Sequence, residues 1–285
     1  MNRSKPQQRR RRWPRLDILS IVLAPLGVGV VVAGHLLDGS GLASLVQAPS
    51  ALVVFGGTLG AILISYSPRE VLRAMRSAAA AFRSPDDDLD TLAATIVTLS
   101  IRAHRRGLTA LDSDLDHITD PMLRNGLGLV VDGSSPELLK QVLTLDARAQ
   151  EAEEDLPARV LEAAAGYAPT MGILGAVLGL MRVMEHLGTP GMLGSGIALA
   201  FVATVYGVGL ANLVLLPIAG RLRERSLLRG RRRELIIEGL EAMQQRTNPR
   251  LVAQKARAFS NRMPRIDELA AHGGLRAARQ PGASA

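Results

Sequence analysis

Apolar residues gather into four long runs, at residues 18–37, 48–66, 166–187 and 195–219. Elsewhere they recur at every third or fourth position. Each run approaches the ~20 residues that a helix needs to cross the hydrocarbon of a bilayer. The nearest acids, Asp17, Asp38 and Glu185, lie at or near the ends, so the deep portions hold no carboxylate. No segment alternates as a strand would. The pattern predicts an all-α, polytopic membrane protein with four transmembrane helices in two hairpins and a cytoplasmic helical region. If such a protein handles ions, the titrating group must come from a partner.

Between the second and third runs the chain reads as short helices with clear starts. Ser67-Pro68-Arg69-Glu70 has a Ser cap, a first-turn proline and a Glu at the third position, a capping box for a helix through about Phe82. Ser84-Pro85-Asp86-Asp87-Asp88 breaks that helix and opens the next, whose apolar stripe runs from Leu89 to Ile101 and stops at Gly107. A short segment at 111–118 follows, then a helix from Asp120-Pro121 to about Asp132-Gly133. A further helix opens at Ser135-Pro136-Glu137 and continues into the third span. After the fourth span a helical pattern reaches Gln245, restarts at Asn248-Pro249, and loosens from about Ala270 into a tail. These extramembrane helices read as too sparsely apolar to form a core of their own, and are expected to bundle on the stems of spans two to four. The segments are thus a basic extension (1–15), a hairpin (16–66), a helical loop (67–165), a second hairpin (166–219) and a helical end (220–285).

The charge of +8 belongs to topology. Of 34 Lys and Arg, seven precede the first span, eleven lie between spans two and three, and fifteen follow span four; only Arg182 falls inside a span. The short connections 38–47 and 188–194 contain none. Both termini and the long middle segment are therefore expected in the cytoplasm of an inner-membrane protein. Basic residues beside anionic headgroups account for this charge without any nucleic acid. The first run is longer than a signal-peptide core and lacks a clear cleavage site, so it reads as a retained helix. The absence of cysteine removes disulfides and thiolate metal sites.

Small residues are placed for close helix contact. They are Gly56, Gly57 and Gly60 in span two, Gly172, Gly175 and Gly179 in span three, and Gly207 in span four. Lipid gives apolar helices little reason to associate by burial, and small-xxx-small faces let backbones pack instead. Each glycine alone is satisfied by packing within one chain; together they offer more contact surface than four helices need, which points to self-association. Pro169 and Pro217 sit toward the same side of adjacent spans, either as helix-end features or as a pathway mouth. Thr204 either bonds the carbonyl one turn back or lines a hydrated path. Arg182, Glu185 and His186 share the outer end of span three, where local pairing and snorkelling suit them. No P-loop, G-x-S-x-G or H-E-x-x-H is present, and the five histidines lack ligand spacing. Nothing supports an enzyme, a metal site or a cofactor. Asp86-Asp87-Asp88 reads as a solvated helix start.

Several segments resemble the MotA/PomA family of flagellar stator subunits, within the MotA/TolQ/ExbB superfamily. They are residues 49–61 (PSALVVFGGTLGA), 167–175 (YAPTMGILG), 203–207 (ATVYG) with Ala211-Asn212 and Leu216-Pro217-Ile218-Ala219, 129–133 (LVVDG), and Glu238-Gly239-Leu240 with Asn248-Pro249-Arg250. The likeness covers about residues 16–260. It implies a ring of five such chains around two copies of a MotB-type, peptidoglycan-binding partner carrying an essential membrane aspartate. Protonation of that aspartate would drive the ring, whose cytoplasmic helices would push on the rotor protein FliG. By the same resemblance Pro169 and Pro217 match functional prolines and Thr204 a pore-facing threonine. Ala176 falls where proton-driven members tend to have alanine. Arg105, Arg106 and Asp112, with Asp114 nearby, fall where rotor-facing charges are placed. Arg182 departs from the family pattern. A TolQ/ExbB-type channel and a non-conducting scaffold are the alternatives; the extra N-terminal hairpin favours the stator.

Overall fold

The computed structural model describes residues 29–30, 33–34, 36–37, 46–82, 89–188 and 190–260. Most of the first predicted span lies outside the described residues, as do the basic start, the Asp86-Asp87-Asp88 run and the chain beyond 260. All regular structure among the described residues is helical. In chain order these are α1 (Ala48–Ser65), α2 (Pro68–Ala80), α3 (Leu89–Arg106), a 3-10 turn (Leu108–Leu111), α4 (Asp112–Leu115), α5 (Pro121–Val131), α6 (Pro136–Glu185), α7 (Pro190–Gly209), α8 (Leu216–Gln244) and α9 (Pro249–Arg257). Among the described residues, three helical stretches are long and apolar enough to cross a membrane: α1, the later part of α6, and the run from Leu193 through α7 into α8.

Helix starts follow the local chemistry read from the sequence. The Ser67 hydroxyl accepts from the Glu70 N–H while the Glu70 carboxylate accepts from the Ser67 N–H at 2.8 Å, closing both halves of the capping box at α2. Asp120 accepts from the Leu123 N–H at 2.9 Å and Asn248 from the Arg250 N–H at 2.9 Å, each with proline next in the chain. At α6 the Ser135 hydroxyl accepts from the Leu138 N–H. From there α6 runs 50 residues without a break, through Pro157 and Pro169, so the stem before span three is continuous with it.

Two compact units divide the chain. The first comprises Met1–Asp86 and Asp155–Glu224. In it the inner face of α2, Val71 and Ala74, meets Ile62 of α1 and Val160 and Ala164 of α6. Ala81 meets Ala158, Leu161, Ala219 and Leu222. This helix thus does pack on the stems of the spans, as its pattern predicts.

The second unit, Asp87–Glu154 with Arg225–Ala285, corrects the other half of that expectation. It has an apolar core of its own, with Ile96, Leu99, Leu111, Leu123, Leu127, Leu139, Leu235, Ile236 and Leu240 essentially excluded from solvent. Each short helix supplies only a few of these residues, so no single segment looks apolar. Ala93, Ala94, Ala253 and Ala256 fill the narrow spaces between them. Ion pairs lie around this core: Arg232 to Asp120 at 2.9 Å, Arg233 and Arg229 to Glu154 at 2.9 and 3.4 Å, and Lys140 to Glu241 at 2.9 Å. The hydrogen bond to Glu241 holds the Lys140 ammonium above its usual pKa.

Candidate functional site

Within the first unit, α6 and α7 approach until backbone touches backbone. A Cβ added at Gly207 would lie 2.5 Å from the Ala168 carbonyl oxygen, and one at Gly172 would lie 3.0 Å from that of Ala203. Gly175 meets the Ala203 methyl and Gly179 the Ala200 amide nitrogen, both at 2.7 Å from an added Cβ. The ladder ends at Gly196 against the Val183 side chain. Dispersion and Cα–H contacts can operate at this separation, where larger side chains would hold the helices apart. Gly57 sits against Met171 of α6. Gly56 and Gly60 differ: both are exposed, and an added Cβ at Gly60 meets nothing within 4 Å among the described residues.

Polar groups lock α1 to the same pair. The Ser50 hydroxyl donates to the Leu199 carbonyl at 3.0 Å, the Gln47 N–H donates to the Tyr206 hydroxyl at 3.3 Å, and the Phe55 and Tyr206 rings lie 5.9 Å apart. Ser65 and Tyr167 hydroxyls meet at 3.0 Å.

Thr204 stands at the level of Gly172, half-buried, and its hydroxyl donates to the Ala200 carbonyl at 3.2 Å. That is the local bond a membrane threonine makes by default, and it leaves the oxygen's lone pairs open to a further donor. Ala176, one turn beyond Gly172, is half-buried. Pro169 directly follows the fully buried Ala168, which clusters with Ala165 and Ala211. Leu215 packs on that cluster, and the exposed Pro217 follows two residues later. The two prolines therefore border one small apolar cluster.

Between α7 and α8 the helix widens over Leu210–Leu215, where the Leu216 N–H bonds the Ala211 carbonyl five residues back. A proline ring clashes with the carbonyl four residues before it, and a wider turn gives the Leu213 carbonyl room beside Pro217. Asn212, inside the turn, donates its side-chain amide to the Val208 carbonyl at 3.0 Å. No Asp or Glu occurs from Gly166 to Met184 or from Pro190 to Arg223. These two stretches can wall a path for an ion, but they carry no carboxylate to bind and release a proton.

In the second unit, α3 ends with Arg105 and Arg106 exposed. Gly107 follows at φ +86°, a left-handed conformation suited to glycine, and the chain turns into Leu108–Leu111. Leu111 is buried in the core, and Asp112 stands exposed beside it. Asp114 differs from these three charges: it is buried and paired with Arg102 of α3, with its second oxygen unpartnered. It braces the turn that presents Arg105, Arg106 and Asp112.

A family model described as the MotA/TolQ/ExbB proton channel family matches residues 114–234, which include α6, α7 and the wide turn. The protein YtxD of Bacillus subtilis, itself called uncharacterized, is 34% identical over 87% of this chain and 92% of its own length. Motility protein A of the same organism is 29% identical over 85% of this chain and 88% of its own. The chain belongs to the MotA/TolQ/ExbB proton channel family. A solved structure, the flagellar MotAB stator complex from Bacillus subtilis, superposes with a TM-score of 0.75 at 29% identity, covering 89% of this chain and 97% of that one. Membership in this channel family, and not an enzyme family, agrees with the missing catalytic signatures.

Several structural features of this family member were not legible beforehand. Arg102 lies twelve residues from Asp114, a spacing that no helical rule marks as a pair. Gly196 carries one rung of the α6–α7 ladder outside any G-x-x-x-G spacing with its partner. The widened turn leaves only indirect signals, Gly207-x-Gly209 before it and Pro217 after it.

Proposed function

We propose that this chain is a flagellar motor stator subunit. With a MotB-type, peptidoglycan-binding partner it forms a proton channel in the inner membrane and converts the ion gradient into torque on a FliG-type rotor protein. The observation that carries this reading is the contact between α6 and α7: a backbone-tight wall within the family-matched region, bordered by two prolines, with no Asp or Glu from Gly166 to Met184 or from Pro190 to Gly209. The essential membrane aspartate is then the partner's. Full-length likeness to a Motility protein A and to a MotAB complex supports the stator role over other members of the family.

In this proposal four spans form two hairpins with both termini cytoplasmic, and five copies surround a partner dimer. Thr204, Ala176, Pro169 and Pro217 belong to the ion pathway, and Ala176 favours protons over sodium. Exposed Arg105, Arg106 and Asp112 engage the rotor. Gly172, Gly175, Gly179 and Gly207 close the α6–α7 contact and Gly57 seats α1. The exposed Gly56 and Gly60 remain for packing against another chain.

Deletion and complementation in a swimming assay test the proposal, with sodium varied at constant ionic strength. Thr204→Val and Pro169→Ala are expected to impair swimming while the protein stays in the membrane, and Asp112→Lys to act through rotor engagement. Speed independent of sodium supports the proton assignment. Normal swimming of the Thr204→Val strain, in cells with no second stator set, would overturn the pore assignment. Proton conduction by the purified chain in liposomes without any partner would overturn the division of labour.

A further inference from the structure

Helix α2 follows α1, which is long and apolar enough to cross a membrane, after only Tyr66 and Ser67. Val71 and Ala74 bury its inner face against α1 and α6. Arg69, Arg73 and Arg76, spaced four and three apart, share the opposite, exposed face. With Leu72, Ser77 and Ala80 they line a shallow, open depression of about 380 Å³. On the adjoining flank Leu72 and Met75 are 49% and 61% exposed. The acid of this helix, Glu70, lies on another flank, engaged in the Ser67 cap. Elsewhere in the same unit Arg159 pairs with Asp155, Arg223 with Glu162, and Arg221 lies over the Phe82 ring at 6.0 Å. Among the described residues, Arg69 and Arg76 have no carboxylate partner.

We propose that α2 is an anionic-lipid-binding helix, its Arg69, Arg73 and Arg76 seating the phosphates of acidic phospholipid headgroups beside α1. The site takes a phosphodiester because guanidinium groups present paired donors to phosphate oxygens, and three of them on one face suit clustered anionic headgroups. The exposed Leu72 and Met75 enter the headgroup–acyl boundary next to the arginines, as in helices that lie in the membrane interface. The lipid layer thereby holds α2 from outside while Val71 and Ala74 hold it from inside. The inference depends on α1 spanning a membrane and is independent of the stator role.

The full chain, extracted from native membranes in a styrene–maleic acid copolymer, supplies the test. Phosphatidylglycerol plus cardiolipin in the particle is measured by mass spectrometry against the bulk membrane. An arginine at an anionic surface favours binding roughly fivefold, so the wild type is expected to hold at least about twofold more acidic lipid than bulk. The R69Q/R73Q/R76Q variant is expected to lose a clear share of that excess, falling toward the bulk ratio. R69K/R73K/R76K is expected to keep most of the excess, and R250Q/R257Q, which alters α9, to keep all of it. Helicity and membrane yield of each variant confirm that it has folded. Equal lipid ratios in wild type and glutamine variant would overturn the proposal, as would the bulk ratio in both, the result expected if an acidic protein occupies this face. Loss of swimming with lipid ratios unchanged would also count against it. Loss of the lipid excess in cells whose stator role has been disproved would still support it.

Discussion

The two units cohere by opposite means. In the second, large aliphatic side chains interlock: Ile96, Leu99, Leu127 and Leu240 fill a core, and the neighbours of its tight glycines are side-chain methyl groups, of Leu240 and Leu143 at Gly126 and of Ile96 at Gly239. In the first, the tight glycines of α6 and α7 mostly meet backbone atoms: the Ala168 and Ala203 carbonyl oxygens and the Ala200 amide nitrogen. The difference follows from the surroundings. Water rewards burial of apolar area, so large side chains stabilise a core; lipid does not, so close approach and van der Waals contact must suffice. In one unit the removal of atoms should hurt, and in the other their addition.

The largest expected effect is on the side-chain core. Leu240 is fully buried, and Leu240→Ala should cost about 2–5 kcal/mol through lost transfer energy and an unfilled cavity. Thermal unfolding of the purified chain, followed by circular dichroism, would read this as a lowered Tm. An unchanged Tm would mean that the second unit adds nothing to overall stability.

The complementary change adds one methyl group to the membrane contact. Gly207→Ala brings a Cβ against the Ala168 carbonyl, which cannot move without shifting α6, so a penalty of about 1–3 kcal/mol is expected. It should exceed the ~1 kcal/mol that alanine gains in helix propensity. Gly60→Ala is the matched control, since its methyl meets nothing within 4 Å among the described residues. It should leave the detergent-solubilised monomer as stable as before or slightly more so. If Gly60→Ala harms swimming while sparing the monomer, the exposed Gly56/Gly60 face is an interface with another chain.

How far the sequence could be read also divides along this line. Helix starts at Ser67, Asp120 and Asn248 were legible because each depends on three or four consecutive residues. The glycines of span three were legible as a contact face, but not what each one faces, since Gly172 meets residues more than thirty positions away. The second core was not legible because it draws on segments of five separate helices, each contributing only a few apolar residues. Of the charges grouped near Asp112, the pattern offered no way to separate the exposed from the buried. Asp114 goes inward because Leu111 and Leu115 anchor the turn, and Arg102 happens to be in reach.

That separation gives the next test. Asp114→Asn removes the charge that Arg102 faces and should cost about 1–3 kcal/mol, reduced toward the lower end because Arg102 is partly solvated. Asp112→Asn, at an exposed neighbouring position, should stay within about 0.5 kcal/mol. Similar losses of Tm in the two variants would show that the turn is not braced as described.

A smaller loss than from either core or contact belongs to the cap of α2, where the two modes of cohesion meet: its inner face packs by side chains on a stem that continues into the backbone-tight contact. Ser67→Ala removes an oxygen acceptor from the first turn and should cost about 1 kcal/mol. Its pH dependence has a definite sign. Hydrogen bonds from the Ser67 backbone, and secondarily from its side chain, hold the Glu70 carboxyl below its ordinary pKa. The stabilisation is therefore complete above the unfolded-state value of about 4.3 and fades as pH falls through the lower folded-state value. The wild type should lose stability relative to Glu70→Gln only on acidification below about pH 4.3, with the two curves parallel above it. A gap between them that widens instead between pH 6 and 8 would assign the dependence to another group and leave α2 held by its buried face alone.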